Sequence, residues 1–359
     1  MSDAVVSVYE VDPDGSFRLL TANVPYKILQ WTRRLSTCGD FSAQLVGDAP
    51  FPWPGRYLVS RSDRPEVGVV EKMQYEEEEG GIVTVSGRFA ECLLDRRRFG
   101  FAGAEVRGAD WRQAVAAAFA SWPMGDAPEI VLGDGLDATG SSYALRADAR
   151  TSAMEAVYAV TAAKSAYPAL SLDWERGALV LSVPQGVDRT AGQSDRPAVE
   201  FSLLMGTAAK VEYAGDYSVA CSSVIAYVAD DAREAAAVEV PVDVPGFDPA
   251  TMWEATASED VYSLCSDAPT DAEAAEAGLL RAYDHMPALS ADVSVLGQGY
   301  GSAWDLGDTC DVVVPQAQVS CSARIEEVRE VVKKGGGTIE VQIGPKSFSK
   351  VSRAMVRLR

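Results

Sequence analysis

A β-hairpin is predicted at residues 67–98 by the alternation of apolar and polar positions. The apolar positions of each arm fall on one face of an extended segment. They are Val67, Val69, Met73 and Tyr75 in the first arm and Val83, Val85 and Phe89 in the second. The arms are joined by Glu76, Glu77, Glu78 and Glu79, followed by two glycines. Because four adjacent carboxylates cannot be buried, we expect this loop to lie in water, at the edge of a β-barrel module.

Both ends of the chain carry further patterns that are typical of short strands. Before the hairpin, the alternating runs are residues 5–11, 17–20, 26–31, 41–46 and 57–60. Residues 33–40 are polar and interrupt this pattern. Several short strands separated by turns predict a small antiparallel barrel or sandwich. Near the other end, residues 320–343 predict a hairpin of similar build whose turn is Gly335-Gly336-Gly337.

Helical spacing appears in the middle of the chain, at residues 99–190. Asp110 can cap a helix over residues 111–121, in which apolar side chains form one stripe. Ser152 and Glu155 have the spacing of a capping box, which predicts a second helix. Two short strands with a glycine-containing turn follow. We therefore expect a mixed α+β module here.

Strand patterns resume after a polar stretch at residues 187–197 and lead to an acidic block. Residues 230–280 contain thirteen acidic residues and one basic residue. Within the block, Thr270 and Glu273 form another possible capping box and predict a helix that ends near His285. His285 is the only histidine, and at a helix C-terminus its expected role is to interact with the helix end.

The net charge of −20 argues against some kinds of binding partner. Nucleic acids and anionic membranes are polyanions, and a chain this acidic is not expected to bind them. The acidic block is expected to be a solvated face or a surface that repels a passing polyanion. No apolar run approaches the ~20 residues that a membrane-spanning helix needs. The first residues lack the pattern of a secretion signal, so we expect folding in a cytoplasm.

The sequence carries no recognisable catalytic, metal or cofactor motif. Its six cysteines are scattered without a Cys-x-x-Cys pair, so we interpret them as buried, reduced thiols. Gly297 to Gly301 lacks the spacing of a nucleotide-binding loop. Arg96, Arg97 and Arg98 leave three alternatives open: a solvated or intramolecular role, a contact with another subunit, or nucleic-acid binding.

Several short motifs follow one another in a fixed order along the chain. They are Ile28-Leu29-Gln30-Trp31 with Arg33, Gly39-Asp40-Phe41, Gly68-Val69-Val70-Glu71, Ile82 to Gly87, Phe201-Ser202, Glu212-Tyr213, Asp305-Leu306-Gly307-Asp308, Arg324 to Val328, and Ile339 to Gly344. Together they resemble the tail-hub (tail-tip or baseplate-hub) proteins of siphoviruses and their prophages. That family is similar in fold to the central hub of contractile phage tails, and the resemblance covers most of the chain.

The resemblance implies a structural protein of the virion tail that is assembled in the host bacterial cytoplasm. It implies a homotrimer whose subunits each supply two β-barrel-like tube modules, giving a pseudo-sixfold ring. Such a ring would join the tail tube to the tip, let DNA pass, and contact the distal tail protein and the tape-measure protein. No catalytic residues, cofactor, metal or membrane contact are expected. The alternatives are a tail-associated cell-wall hydrolase and a module that binds the host surface.

The expected fold class is α+β and β-rich, with two small antiparallel β-barrel-like tube modules and one mixed module. Residues 1–98 would form the first tube module, completed by strands in residues 198–228. Residues 99–190 would form the α+β module with two helices. Residues 191–359 would form the second tube module, with the acidic and helical insertion at about residues 230–290. In the ring, the loop Glu76, Glu77, Glu78 and Glu79 would line the rim or lumen, and Arg96, Arg97 and Arg98 would contact the neighbouring subunit.

Overall fold

A computed structural model describes most of the chain. The described residues are 4–47, 51–76, 81–96, 104–108, 112, 115, 128–133, 136, 143–147, 152–162, 164–217, 220–227, 237–241, 256–261, 270–282, 285, 288–296, 299–333 and 335–344. The first strands are β1 (Val6–Val11), β2 (Phe17–Thr21), β3 (Tyr26–Arg34), β4 (Asp40–Val46), β5 (Tyr57–Arg61), β6 (Val67–Val69), β7 (Lys72–Glu76), β8 (Ile82–Arg88), β9 (Ala104–Gly108), β10 (Ile130–Leu132) and β11 (Tyr143–Ala147).

The remaining elements continue the β-rich pattern. They are helix α1 (Ala153–Ala162), β12 (Ala169–Asp173), β13 (Ala178–Ser182), β14 (Glu200–Phe201), β15 (Ala208–Asp216), β16 (Ser223–Tyr227), β17 (Ala237–Pro241), β18 (Thr256–Asp260), helix α2 (Asp271–Ala282), β19 (Ala288–Val295), β20 (Thr309–Val314), β21 (Val319–Lys333) and β22 (Gly336–Ile343). A 3-10 helix follows β8 at Ala90–Arg96. No helix in the described ranges is both long and apolar enough to cross a membrane.

The first compact unit comprises Met1–Val211 and Asp292–Ile343. A ten-stranded sheet belongs mostly to this unit, with β15 and β19 running across the boundary. Its order is β15-β19-β22-β21-β3-β4-β8-β7, with β20 paired to β21 and β14 paired to β20. A four-stranded sheet has the order β2-β1-β5-β6. The central pair of the large sheet is β3 with β21, which joins strands near opposite ends of the chain. Long-range strand pairing therefore holds the two ends of the sequence in one core.

An aromatic cluster forms the middle of this core. The Trp31 ring lies 5.7 Å from the Phe41 ring and 4.8 Å from the Phe89 ring, measured between centroids. All three side chains are buried. A Cβ atom added to Gly68 would lie 2.3 Å from the Phe41 ring, so only glycine lets strand β6 approach this cluster so closely.

The segment predicted as a hairpin at residues 67–98 is divided between two sheets. Strand β6 pairs with β5, whereas β7 pairs with β8 in the large sheet. The backbone changes sheets after Val69, where a Cβ atom on Gly87 would lie only 1.9 Å from the Val69 carbonyl oxygen. The predicted hairpin is confirmed for β7 and β8. The first arm also continues before β7, because Gly68 forms an isolated antiparallel bridge with Phe89, although β6 pairs mainly with β5.

The terminal hairpin is confirmed by the antiparallel pairing of β21 with β22. Strand β3 is longer than its pattern predicted. It continues through Thr32 and Arg33, which are buried although they are polar, and pairs Arg33 with Val328 of β21. The polar stretch that was expected to interrupt the strand pattern therefore begins inside the core.

The mixed region contains helix α1 and the antiparallel pair β12 and β13. The predicted capping box is confirmed, since the Glu155 backbone N–H donates to Ser152 Oγ at 3.1 Å. In return, the Ser152 N–H donates to Glu155 Oε2 at 2.9 Å. The hairpin predicted here turns at Gly177, which has a φ of +64°. The helix predicted at residues 111–121 lies outside the described residues, apart from Arg112 and Val115.

The second compact unit comprises Glu212–Ala291 and Gly344–Arg359. Its sheet has the order β17-β16-β18, and helix α2 packs on it. A Cβ atom on Gly278 would lie 2.7 Å from the Ala226 Cβ, so this glycine permits close contact between α2 and β16. His285 lies beyond the end of α2, and its Nε2 is 2.7 Å from Glu259 Oε1 on β18. The predicted helix is therefore confirmed, and the imidazole pairs with a strand carboxylate.

The described chain is β-rich and is built mainly from antiparallel sheets, as expected. The strand orders found in it are those of open sheets, so the two barrel-like modules stay a prediction. The division at residues 1–98, 99–190 and 191–359 also stays a prediction. Four of the five described cysteines are buried, the fifth is half-buried, and all five are free thiols.

Candidate functional site

The candidate contact residues of the sequence lie mostly outside the described ranges. Glu76 is the last residue of β7 and is exposed to solvent. Arg96 ends the 3-10 helix that follows β8. Glu77, Glu78, Glu79, Arg97 and Arg98 are outside the described residues. The predicted contacts of these residues therefore stay predictions.

A group of polar side chains surrounds the buried Arg33 in the first unit, and we call it the Arg33 cluster. It consists of Arg33, Glu66, Tyr167, Tyr300 and Asp305. The guanidinium Nε lies 2.6 Å from Glu66 Oε1, and Nη1 donates to Tyr300 Oη at 2.9 Å and to Asp305 Oδ1 at 2.5 Å. Nη2 donates to Tyr167 Oη at 2.6 Å. All three guanidinium nitrogens therefore contact an oxygen from a different part of the sequence.

The electrostatic balance of the Arg33 cluster favours the charged guanidinium. Burial alone would lower the pKa of Arg33, but the surrounding phenolic and carboxyl groups outweigh this effect and raise it. Burial raises the pKa of Tyr167 and Tyr300, so both phenols stay protonated. Arg33 and Glu66 are 5% and 3% exposed, and a buried ion pair of this kind is strongly destabilising when one partner is removed.

A second ion-pair group adjoins the first, and we call it the Glu330 cluster. It consists of Arg61, Asp63, Arg64 and Glu330. Glu330 is buried on β21 and accepts hydrogen bonds from Arg61 at 3.2 Å and from Arg64 at 2.8 Å. The Arg64 guanidinium lies 4.2 Å from the centroid of the Tyr300 ring. Tyr300 therefore connects the two clusters through its hydroxyl and its ring.

Glu91 is a buried carboxyl group at the edge of the Arg33 cluster. Its side chain is 1% exposed and accepts a hydrogen bond from the Leu170 backbone N–H at 2.7 Å. Burial raises the pKa of Glu91 to about 8, and the nearby Glu66 carboxylate adds to this effect. Glu91 is therefore largely protonated at neutral pH. It connects the 3-10 helix to β12 of the mixed region as a hydrogen-bonding group without charge.

The motif Asp305-Leu306-Gly307-Asp308 forms a third polar contact. Asp308 is buried and accepts hydrogen bonds from the Val187 N–H at 2.8 Å and from Arg189 Nε at 2.9 Å. Gly307 has a φ of +87°, and an added Cβ atom would lie 2.8 Å from the Ser165 carbonyl oxygen. The motif therefore positions Asp305 for Arg33 and fixes the chain that leaves the mixed region.

These clusters are suited to fixing strands rather than to binding a substrate. The space beside Arg33, Glu66 and Glu91 has room for no more than about one water molecule. Within the described ranges, no three His, Cys, Asp or Glu side chains converge as a metal site would require. The acids of both clusters are already in contact with arginines. What this arrangement does chemically is neutralise buried charge between segments that are distant in sequence.

Sequence reasoning missed these residues because their partners are not local. Arg33 was interpreted as part of a polar interruption, although Asp305 lies 272 positions further along the chain. One signal was present in the segment that was rejected as a nucleotide-binding loop. In it, Gly299 and Gly301 both have positive φ values and hold Tyr300 between them, with its ring stacked 4.8 Å from Trp304. Tyr300 is half-buried between these two glycines.

The chain is similar to known proteins over almost all of its length. The family model of Siphovirus ReqiPepy6 Gp37-like protein matches residues 6–345. No curated protein shows significant similarity to the sequence. Three solved structures share the fold at low identity. They are a 43 kDa tail protein of prophage MuSo2 from Shewanella oneidensis (14% identity, TM-score 0.57, 96% of this chain and 98% of that chain), the prophage tail protein gp18 from Listeria monocytogenes EGD-e (11%, 0.55, 99% and 98%), and a tail protein from Neisseria meningitidis MC58 (14%, 0.53, 96% and 96%).

Proposed function

Because the chain belongs to the family of Siphovirus ReqiPepy6 Gp37-like proteins, we propose that it is a structural hub protein of a phage or prophage tail. The observation that carries this proposal is the agreement between sequence and fold. The family match spans residues 6–345, and three tail proteins share the fold over at least 96% of this chain. The proposed location is the virion tail, after assembly in the cytoplasm of the host bacterium.

The proposed assembly is a homotrimeric ring at the tail tip or baseplate. Two β-barrel-like modules in each subunit would give six similar modules around the ring, which matches a sixfold tail tube on one side and a threefold tip on the other. The distal tail protein and the tape-measure protein are the proposed neighbours. In this ring, Glu76 and the following three glutamates would face the rim or lumen, and Arg96 to Arg98 would contact the next subunit.

The charge of the chain supports the passage of DNA through such a ring. Fifty-two acidic residues outnumber thirty-two basic ones. Acidic walls repel the phosphate groups of DNA. In a basic channel, lysine and arginine side chains would bind these phosphates and retain the DNA. A strongly acidic hub therefore lets the polyanion pass without binding it.

A structural role is also supported by how the buried acids are used. Glu66 and Glu330 contact arginine side chains, and Glu91 holds a backbone N–H. These groups stabilise the fold and are not arranged around a space that could hold a cell-wall glycan or peptide. We therefore propose the hub role over the cell-wall hydrolase and the host-surface binding module.

Immunogold labelling of purified tails tests the proposed location. We expect an antibody against the full chain to label one end of each tail, at the tip. Label along the tube or on the capsid would contradict the hub role. Cell-wall cleavage in a zymogram by the purified chain would instead favour the hydrolase.

A further inference from the structure

An exposed apolar turn connects β14 to β15, and we call it the apolar tip. It consists of Leu203, Leu204 and Met205, whose exposed fractions are 49%, 77% and 67%. No charged residue occurs between Phe201 and Ala209. Three consecutive large apolar side chains in water are unusual in an acidic chain and mark a surface that contacts another molecule.

The apolar tip is held in a defined shape. Ser202 Oγ accepts a hydrogen bond from the Leu204 N–H at 3.2 Å, and the Ser202 N–H donates to Thr207 Oγ1 at 2.9 Å. Gly206 has a φ of +68° and its N–H donates to the Leu203 carbonyl oxygen at 3.2 Å. These bonds close the turn, so the apolar side chains are presented without the ordering cost of a long open loop.

The base of the turn is anchored in the core of the first unit. The Phe201 ring is 1% exposed and meets the Trp304 ring edge-on, with 5.3 Å between centroids. The turn leads directly into β15, which stands first in the order of the ten-stranded sheet. The apolar tip is thus fixed beside one end of this sheet.

The other end of the same sheet is strand β7, where the core is incompletely covered. Tyr75 pairs with Val83 and Met73 pairs with Val85, so both side chains lie on the face that carries these buried valines. Tyr75 is nevertheless 51% exposed, and Met73 is half-buried. Strand β7 pairs with β8 on one side and stands last in the sheet order. No strand among the described residues pairs with the other edge of β7, and such an edge with exposed apolar side chains is a site for contact with another chain.

We propose that the apolar tip of one copy packs against the β7 edge of the next copy, over Met73 and Tyr75. The contact is heterologous because it joins two different surfaces of the same chain, and heterologous contacts form rings when their rotation closes. This inference rests on the proposed trimeric hub and names the surfaces that join its subunits.

The apolar tip and the β7 edge are both exposed apolar surfaces of this chain, so two copies can cover each with the other. Three side chains form a small contact beside the ~800 Å² per partner of a standard interface, so one tip alone is expected to hold a pair of copies only weakly. In a closed ring, each copy gives one tip and receives one, so the contact is made twice per subunit.

A cysteine cross-link between the two surfaces tests the proposal in the full chain. The variant Met205→Cys with Tyr75→Cys is oxidised and separated by non-reducing gel electrophoresis. We expect covalent dimers and trimers that disappear on reduction. The matched control is Met205→Cys with Leu19→Cys. Leu19 is as exposed as Tyr75, at 50%, but lies on β2 in the four-stranded sheet, away from the proposed contact. The control is expected to remain at the level of the wild-type chain.

A second variant keeps the test independent of cysteine chemistry. Leu204→Ser with Met205→Ser should weaken self-association at least tenfold in sedimentation velocity, whereas Leu19→Ser should leave it unchanged. A wild-type trimer that persists in the tip variant overturns the proposal and leaves the hub intact. A wild-type chain that stays monomeric overturns both.

Three other outcomes also decide the matter. Cross-linking by Met205→Cys alone would indicate contact between two tips and overturn the proposed pairing. Sedimentation of the chain with phosphatidylcholine vesicles that depends on Leu204, without the paired cross-link, would assign the tip to a membrane and overturn it as well. A cross-linked ladder that continues past three copies would support the contact and contradict the closed trimer.

Discussion

Charged side chains are usually exposed and apolar side chains are usually buried. The Arg33 cluster departs from the first rule, and the apolar tip departs from the second. The cluster places a guanidinium and a carboxylate in the interior, at 5% and 3% exposure. The tip places Leu204 in water at 77% exposure. Buried charge and exposed apolar surface are each unfavourable in an isolated chain. Each therefore indicates a partner, but the partner of Arg33 lies within the same chain and the proposed partner of the tip lies in another copy.

This difference shows which contacts the fold can satisfy alone. Arg33 is on β3, Glu66 precedes β6, and Asp305 precedes β20, so the cluster closes only when segments far apart in sequence have assembled. The apolar tip is fully formed by local hydrogen bonds around Ser202. The cluster should therefore matter to the free energy of unfolding, and the tip should matter to association.

The largest expected effect comes from Arg33→Met. The substitution leaves the buried Glu66 carboxylate without its guanidinium, and breaking a buried pair in this way costs about 3–5 kcal/mol. Urea unfolding followed by tryptophan fluorescence measures the loss. The matched control is Arg18→Met, which removes an exposed pair with Glu10 and should change the free energy of unfolding by less than about 1 kcal/mol. Equal effects of both substitutions would contradict the role of the cluster.

The next effect depends on pH and comes from Glu91→Gln. The folded chain holds a proton on Glu91 up to a pKa of about 8, against an ordinary value of 4.5. Between these two pH values the folded state binds more protons than the unfolded state, so stability falls as the pH rises. The amide keeps an acceptor for the Leu170 N–H and loses this dependence.

Thermal unfolding of both proteins from pH 4 to pH 9 measures the difference. We expect the variant to gain little below pH 4.5 and about 3 kcal/mol relative to wild type at pH 7. The titratable groups that face Glu91 are Glu66, Arg33, Cys38 and Tyr158, and none of them is changed in the variant. A difference that stays constant with pH would show that Glu91 is not the titrating group.

A smaller effect is expected from Tyr167→Phe. The substitution removes the hydroxyl that accepts a hydrogen bond from Arg33 Nη2 and leaves that donor unsatisfied in the core. We expect a loss of about 1–2 kcal/mol in chemical unfolding. Tyr75→Phe, at an exposed tyrosine, serves as the control and should lie within about 0.5 kcal/mol of wild type. A Tyr167 variant as stable as its control would show that the phenol hydroxyl does not contribute to the stability of the cluster.

The smallest effect on stability is expected at the apolar tip. Leu204→Ser with Met205→Ser exchanges exposed side chains, so the free energy of unfolding should change by less than about 0.5 kcal/mol. The same exchange at the buried Leu170 should cost several times more, about 3 kcal/mol or above. Thermal unfolding at a low protein concentration compares the two. A large loss at the tip would mean that it packs within its own chain.

Local patterns were sufficient to predict the elements whose signals are contiguous. The terminal hairpin follows from alternation on both sides of Gly335-Gly336-Gly337, and helix α1 follows from the spacing of Ser152 and Glu155. The order of short motifs also indicated the tail-protein family. The sheet change after Val69 was missed because alternation continues through it, and its cause is the approach of Gly87 from another strand.

The polar clusters could not be predicted because charge alone does not indicate burial. Arginine is usually exposed, and the sequence around Arg33 does not predict that Glu66 and Asp305 contact it. The exposed tip was missed for the reverse reason. The alternation at residues 199–203 predicts a strand that ends at Leu203, whereas the turn closed at Gly206 places Leu203, Leu204 and Met205 in water.

The central claim, a trimeric hub, is tested most directly by the mass of the full chain in solution. Sedimentation velocity at rising protein concentration measures it without a surface or a label. The subunit mass is 38.2 kDa. We expect a species of three times this mass that appears as a closed ring in electron micrographs. A chain that remains at 38.2 kDa at the highest concentration, with no ring visible, would contradict the claim.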